Sequence, residues 1–220
     1  MQRPRQGSAL TLVELIIVMV VSGILFVTTP PLVFHGVKTL VFLPRALAVN
    51  QTASEALHQI VEGGFSILAG QTTIRGLRFA VRRSTAEPAL WLAEDNRIGF
   101  RNSDGQDVLI RWDSSTPNQE VIRRDLISPV CLPPNNPGEI LPYYAQGIGG
   151  QGTVRILQIP SATPIFRYYN QSGALVAPTC PPSSTIRRVD IAFIAQTGSG
   201  VFDEGQAKEQ VASSVAIRVP

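Results

Sequence analysis

The chain has 220 residues, 44% of them hydrophobic and 16% charged, with a formal net charge of +3 at pH 7. That length fits one modest domain beside a membrane anchor, at the usual ~100–200 residues per domain. A balance so near neutral argues against non-specific nucleic-acid binding as the main role, and two distant cysteines make a zinc site improbable.

The first predicted element is the apolar run from Leu10 to Val27, in which Glu14 is the one charged residue. A run of about 20 apolar residues predicts a membrane helix. A carboxylate at bilayer depth costs roughly 2.5–3.5 kcal/mol on insertion scales, so Glu14 is expected to meet a partner. The preceding segment, Met1 to Gly7, carries Arg3 and Arg5 and no acid, which keeps the N-terminus cytoplasmic and the chain beyond Pro31 outside. A cleaved secretory signal is the rival interpretation, but the run exceeds the usual 7–15-residue apolar core and Val27-Thr28-Thr29-Pro30-Pro31 is a poor cleavage site.

Leu10-Thr11-Leu12-Val13-Glu14-Leu15, the pure apolar helix after it, Gly23 and Pro31 together resemble the N-terminal signature of type IV pilins and type II secretion pseudopilins. The resemblance implies removal of a short basic leader by a prepilin peptidase, methylation of the new amine, and a glutamate as fifth mature residue. Placing Glu14 there makes Leu10 the first mature residue and sets cleavage between Ala9 and Leu10, with N-methylation at Leu10. The same register puts Gly23 and Pro31 on the family's glycine and proline positions. Ala9 stands where the family usually has glycine. Loss of a leader holding Arg3 and Arg5 would lower the charge from +3 to +1. The implied role of Glu14 is assembly: it pairs with the terminal amine of a neighbouring subunit as helices bundle. Gly23 and Pro31 serve helix packing and kinking.

Pro30-Pro31 predicts a kink, and Pro44 a second break. From Arg45 to Glu62, Ala46, Val49, Ala53, Ala56 with Leu57, and Ile60 recur at three- and four-residue spacing, an amphipathic helix about 27 Å long that Gly63-Gly64 ends. Its apolar stripe is suited to covering a β-sheet. The period then becomes alternating. Strands are expected at Leu90-Trp91-Leu92, Arg97 to Arg101 and Asp107 to Trp112, with a hairpin turn at Asn102-Ser103-Asp104-Gly105 and an edge strand at Glu120 to Leu126. A proline- and glycine-rich loop is expected from Ser128 to Gly152. Further strands are expected at Thr153 to Ile159, Ile165 to Tyr169, Ala174 to Ala177, Ile186 to Ala195 and Val211 to Val219.

The C-terminal half, with Phe166-Arg167-Tyr168-Tyr169, Ile186-Arg187-Arg188-Val189-Asp190-Ile191 and Ser213-Ser214-Val215-Ala216-Ile217-Arg218, resembles J-type minor pseudopilins and W-type minor pilins. The expected fold class is α+β and pilin-like, a long N-terminal helix packed on an antiparallel sheet. The expected divisions are a leader at 1–9, a transmembrane helix at 10–31, its periplasmic continuation at 32–64 and a β-rich head at 65–220.

No catalytic constellation is evident. His35 and His58 lack metal-ligand company, and the glycine run Gly147 to Gly152 lacks the Lys-Ser/Thr ending of a phosphate loop. Asn102, Asp104 and Asp107 are explained by a turn better than by calcium. No cofactor or metal is expected. Cys131 and Cys180 permit one disulfide in an oxidising compartment. The pairs Arg82-Arg83, Arg123-Arg124 and Arg187-Arg188 serve either edge protection or a subunit- or DNA-contact patch.

The expectation is a structural minor subunit, anchored in the inner membrane and assembled into a pilus or pseudopilus, at its tip by likeness to the J and W types. The partners implied are other pilin or pseudopilin subunits, the prepilin peptidase, the inner-membrane assembly platform and the membrane itself. Nucleic acid enters only if the chain is a competence pseudopilin. The alternative is an anchored extracytoplasmic binding domain or enzyme that never polymerises.

Overall fold

The computed structural model describes residues 11–66, 72–82, 88–115, 120–129, 131, 138–141, 154–157, 163–197 and 208–217. Ala9 and Leu10 lie outside them. The chain divides into two compact units, Met1–Leu43 and Pro44–Pro220. Helix α1 spans Leu12–Val61. Helical backbone continues through Pro44, so the break predicted there is absent. A proline removes one donor from the ladder, and a long helix keeps the hydrogen bonds on either side of the gap.

In the first unit, α1 supplies one span, Leu12–Val37, that is long and apolar enough to cross a membrane, and none of it is buried within the chain. Its leucines, isoleucines, valines and Phe26 are exposed on every side. A helix that is apolar all round has no solvent face and needs cover from lipid or protein.

In the second unit the helical period does what the sequence predicts. Val49, Ala53, Ala56 and Ile60 are buried, with Ala46 and Leu57 packed beside them. Gly63, at φ +98°, ends the run in the left-handed region that side chains avoid. A short antiparallel hairpin follows, β1 (Gly63–Ser66) with β2 (Thr72–Arg75), then a 3-10 turn at Leu77–Phe79. No strand is expected here from the sequence.

Five strands in chain order form an antiparallel meander: β3 (Leu90–Ala93), β4 (Arg97–Arg101), β5 (Asp107–Asp113), β6 (Val121–Leu126) and β7 (Glu139–Leu141). Two corrections arise. The segment predicted as an edge strand, β6, is interior, flanked by β5 and β7, and the predicted loop from Ser128 to Gly152 contains β7. Three residues are too few to show a period, so β7 is defined by its partner.

A second five-stranded sheet is built on β11 (Arg188–Thr197). One side of β11 carries β9 (Phe166–Tyr169) beside Arg188–Ile191 and β8 (Val154–Leu157) beside Ile194–Thr197. Its other side carries β12 (Lys208–Ala216), and β10 (Leu175–Val176) lies outside β9. The fold is therefore α+β, with two sheets and a hairpin where one sheet was expected. Both sheets and the second half of α1 share one core: Ile98, Phe100 and Ile110 from the meander join Phe166, Tyr168, Val189, Ile191 and Phe193. Polar contacts also tie the sheets. Trp112 Nε1 donates to Ile156 O (2.7 Å), and the Tyr168 hydroxyl donates to Glu94 O (2.8 Å).

Candidate functional site

The candidate site is the start of α1. Thr11 is the last residue before the helix, and Glu14 lies three positions on. The Glu14 carboxylate accepts from Thr11 N (2.8 Å) and from Thr11 Oγ1 (3.0 Å). In return Glu14 N donates to Thr11 Oγ1 (3.3 Å). This is a capping box: two backbone donors that the helix leaves unpaired are satisfied reciprocally. Its signal, the Thr-x-x-Glu spacing, is legible in the sequence. The cap gives Glu14 a partner within its own chain, and both groups remain solvent-exposed.

Gly23 and Pro31 both lie within α1. A Cβ built on Gly23 would meet nothing within 4 Å, so that glycine leaves a notch on the helix surface. Near the prolines, Thr28 Oγ1 donates to Ile24 O (2.9 Å), and Thr39 Oγ1 donates to His35 O (2.9 Å). His35 and His58 are helix residues, and no group of three metal-ligating side chains occurs among the described residues.

Cys131 and Cys180 form a disulfide with their Cα atoms 5.8 Å apart. It joins the segment after β6 to the segment before β11. Thr179 bridges Ala93 at the end of β3, and Arg97 Nη2 donates to Cys131 O (3.4 Å). The disulfide belongs to the second unit.

The three arginine pairs separate. Arg123 and Arg124 point to opposite faces of β6, and neither edge protection nor a contact patch describes them. Arg123 Nε lies 2.5 Å from Asp113 Oδ2. Burial works against ionisation of Asp113, but hydrogen bonds from Ser115 and then Arg123, with its charge, hold the carboxyl down to about 2. The neighbouring Asp125 is raised, because burial there outweighs its bond to Arg111. Arg124 is only 1% exposed and faces inward, donating to Glu139 Oε2 (2.9 Å) and Phe65 O (2.7 Å), while Ser66 Oγ donates to the same carboxylate (2.8 Å). The signal was in the alternation Ile122, Arg124, Leu126, which puts Arg124 on the apolar face. Arg82 and Arg187, distant in sequence, line one cleft. Arg83 lies outside the described residues.

At the predicted turn, Asn102 Oδ1 accepts from Asp104 N (3.1 Å) and Gln106 N (2.9 Å), and Asp104 pairs with Arg75 (3.2 Å). Those oxygens already have partners. Comparison of the chain with protein-family models, with curated proteins and with solved structures finds no match.

Proposed function

We propose that this chain is a structural subunit of a type IV pilus or type II secretion pseudopilus, a minor one, anchored in the inner membrane until it assembles through α1. The observation that carries this reading is the span Leu12–Val37, unburied by its own chain, with one carboxylate near its start. Its 26 residues extend for about 39 Å, against about 30 Å of hydrocarbon in a bilayer. Tilt accommodates part of the excess, and neighbouring helices would cover it fully. Gly23 and Pro31, in register with Glu14, support the same reading. Leader removal by a prepilin peptidase would leave Leu10 as an amine close to Glu14 in sequence. An assembly platform and other subunits would be its partners, and the resemblance to J and W types favours the tip.

One observation favours a second reading, in which the head is anchored and never polymerises. Glu14 already has Thr11 as a partner, so the carboxylate is explained by helix capping alone. Mass spectrometry and N-terminal sequencing of the protein from membranes separate the two. A methylated Leu10 is the outcome expected of the filament subunit. An intact Met1 or a cut after Thr29 would overturn it.

A further inference from the structure

Alternation along β9, β11 and β12 turns one set of side chains to the core and the other to the outer face of the second sheet. On that outer face the register sets Arg167, Asp190 and Ser214 in one row across the three strands, and Ala192 opposite Ala212 in the next. The two methyl groups leave a trough beside the row, and Thr163, Pro164 and Tyr169 add to its lining. Its volume is about 400 Å³, within the range of about 300–1,000 Å³ found for small-ligand sites.

Arg167 is the direct cross-strand partner of Asp190, yet that carboxylate is engaged elsewhere. Arg188 Nε lies 3.1 Å from Asp190 Oδ1, and Ser214 Oγ donates to the same oxygen (2.7 Å). Arg188 also stacks on Tyr169, 4.1 Å from the ring centroid. Arg188 and Asp190 thus neutralise each other. Arg167 is exposed and has no hydrogen bond or ion pair among the described residues, which leaves the trough one uncompensated charge, a positive one. A carboxylate accepts about four hydrogen bonds, so Asp190 keeps capacity for an incoming hydroxyl.

A guanidinium without an acid suits a carboxylate in charge and in planar, two-pronged geometry. Spare capacity on Asp190 selects a hydroxyl, and the alanine floor admits the flat apolar face of a ring. We propose that this trough binds an acidic sugar, a hexuronate residue, with its carboxylate on Arg167, a hydroxyl donating to Asp190 and its ring over Ala192 and Ala212. The site lies wholly in the second unit and does not depend on how the membrane helix is used.

The test is calorimetric titration of the full chain, solubilised in a detergent without a sugar headgroup, with digalacturonate at low ionic strength. Saturable binding is expected, weakened about tenfold or more in Arg167→Gln, which loses the charge-assisted bonds. Ala192→Leu fills the trough and leaves Arg167 in place, and it is expected to weaken binding as much. Galactobiose, which lacks the carboxylates, and glutarate, which lacks the ring, are each expected to bind at least tenfold more weakly than digalacturonate. Circular dichroism of each variant establishes that it is folded. Absence of saturable binding to the folded parent would overturn the site, as would binding unchanged in Arg167→Gln or in Ala192→Leu. Equal affinity for galactobiose would remove the role of Arg167, and equal affinity for glutarate would remove the sugar.

Discussion

At the scale of single residues, two carboxylates illustrate opposite ways of placing a charge on an apolar element. Glu139 is buried beside Arg124, and Ser66 and the carbonyl of Phe65 complete the set. Removing one partner of such a pair leaves the other charge buried without compensation. Glu139→Ala is therefore expected to lower stability by about 3–5 kcal/mol in urea titration of the detergent-solubilised chain. The double change Arg124→Met with Glu139→Leu should restore most of it, and a double variant no better than the single one would show that the ion pair is not what the site needs. Glu14 is exposed and held by Thr11. Glu14→Val keeps the span apolar and removes the carboxylate half of the capping box, while the backbone N–H at position 14 can still donate to Thr11 Oγ1. If Glu14 serves assembly, this variant inserts, loses its leader and is absent from sheared filaments. Normal incorporation of Glu14→Val would refute that role.

At the scale of elements, α1 ends where a residue must adopt φ +98°, at Gly63. Its hairpin partner β2 packs so closely that a Cβ there would overlap the carbonyl oxygen of Ile74. Gly63→Ala thus combines left-handed strain of about 1–2 kcal/mol with a backbone collision. Gly173, at φ +80° with nothing within 4 Å of an added methyl, carries the strain alone. The expected result is a larger fall in thermal midpoint for Gly63→Ala than for Gly173→Ala. Equal falls would mean that the approach of β2 does not constrain the helix end. The helix stripe at Val49, Ala53, Ala56 and Ile60 and the strands β3 to β5 were legible because each has a period of its own. The hairpin β1–β2 and strand β7 were not, because Gly63-Gly64-Phe65-Ser66 and Thr72-Thr73-Ile74-Arg75 each hold a single large apolar residue and β7 is only three residues long, so each gains its identity from the strand opposite.

At the scale of the whole molecule, the two sheets meet through Tyr168. Its hydroxyl donates toward Glu94 O and Arg97 O, and burial raises the phenol well above its ordinary value of 10, with the charges of Asp95 and Glu94 adding to the effect. A raised phenol favours the folded state while the phenol is neutral. That stability is fully present below pH 10 and is lost as pH rises toward the folded value. Tyr168→Phe should cost about 1–2 kcal/mol at neutral pH through the two carbonyls left unpaired. The gap between variant and parent should narrow as the pH is raised past 10, read from urea midpoints across the alkaline range. A gap constant through that range would remove Tyr168 from the alkaline transition.

The sequence by itself determined the membrane-length helix, the single carboxylate near its start, the amphipathic stripe of its second half and most strands of the head. These follow from composition and period, which are local properties. Of the helix start, the capping box was legible from the Thr-x-x-Glu spacing, whereas the common register of Glu14, Gly23 and Pro31 is what the family resemblance implies. Only the tertiary structure decided that the strands divide into two sheets, that β6 is interior, and that Arg124 is buried against Glu139. It alone brought Arg82 to Arg187. Pairing partners and buried counter-ions are choices among distant segments, and the free energy that selects them comes from shared burial that no single segment contains.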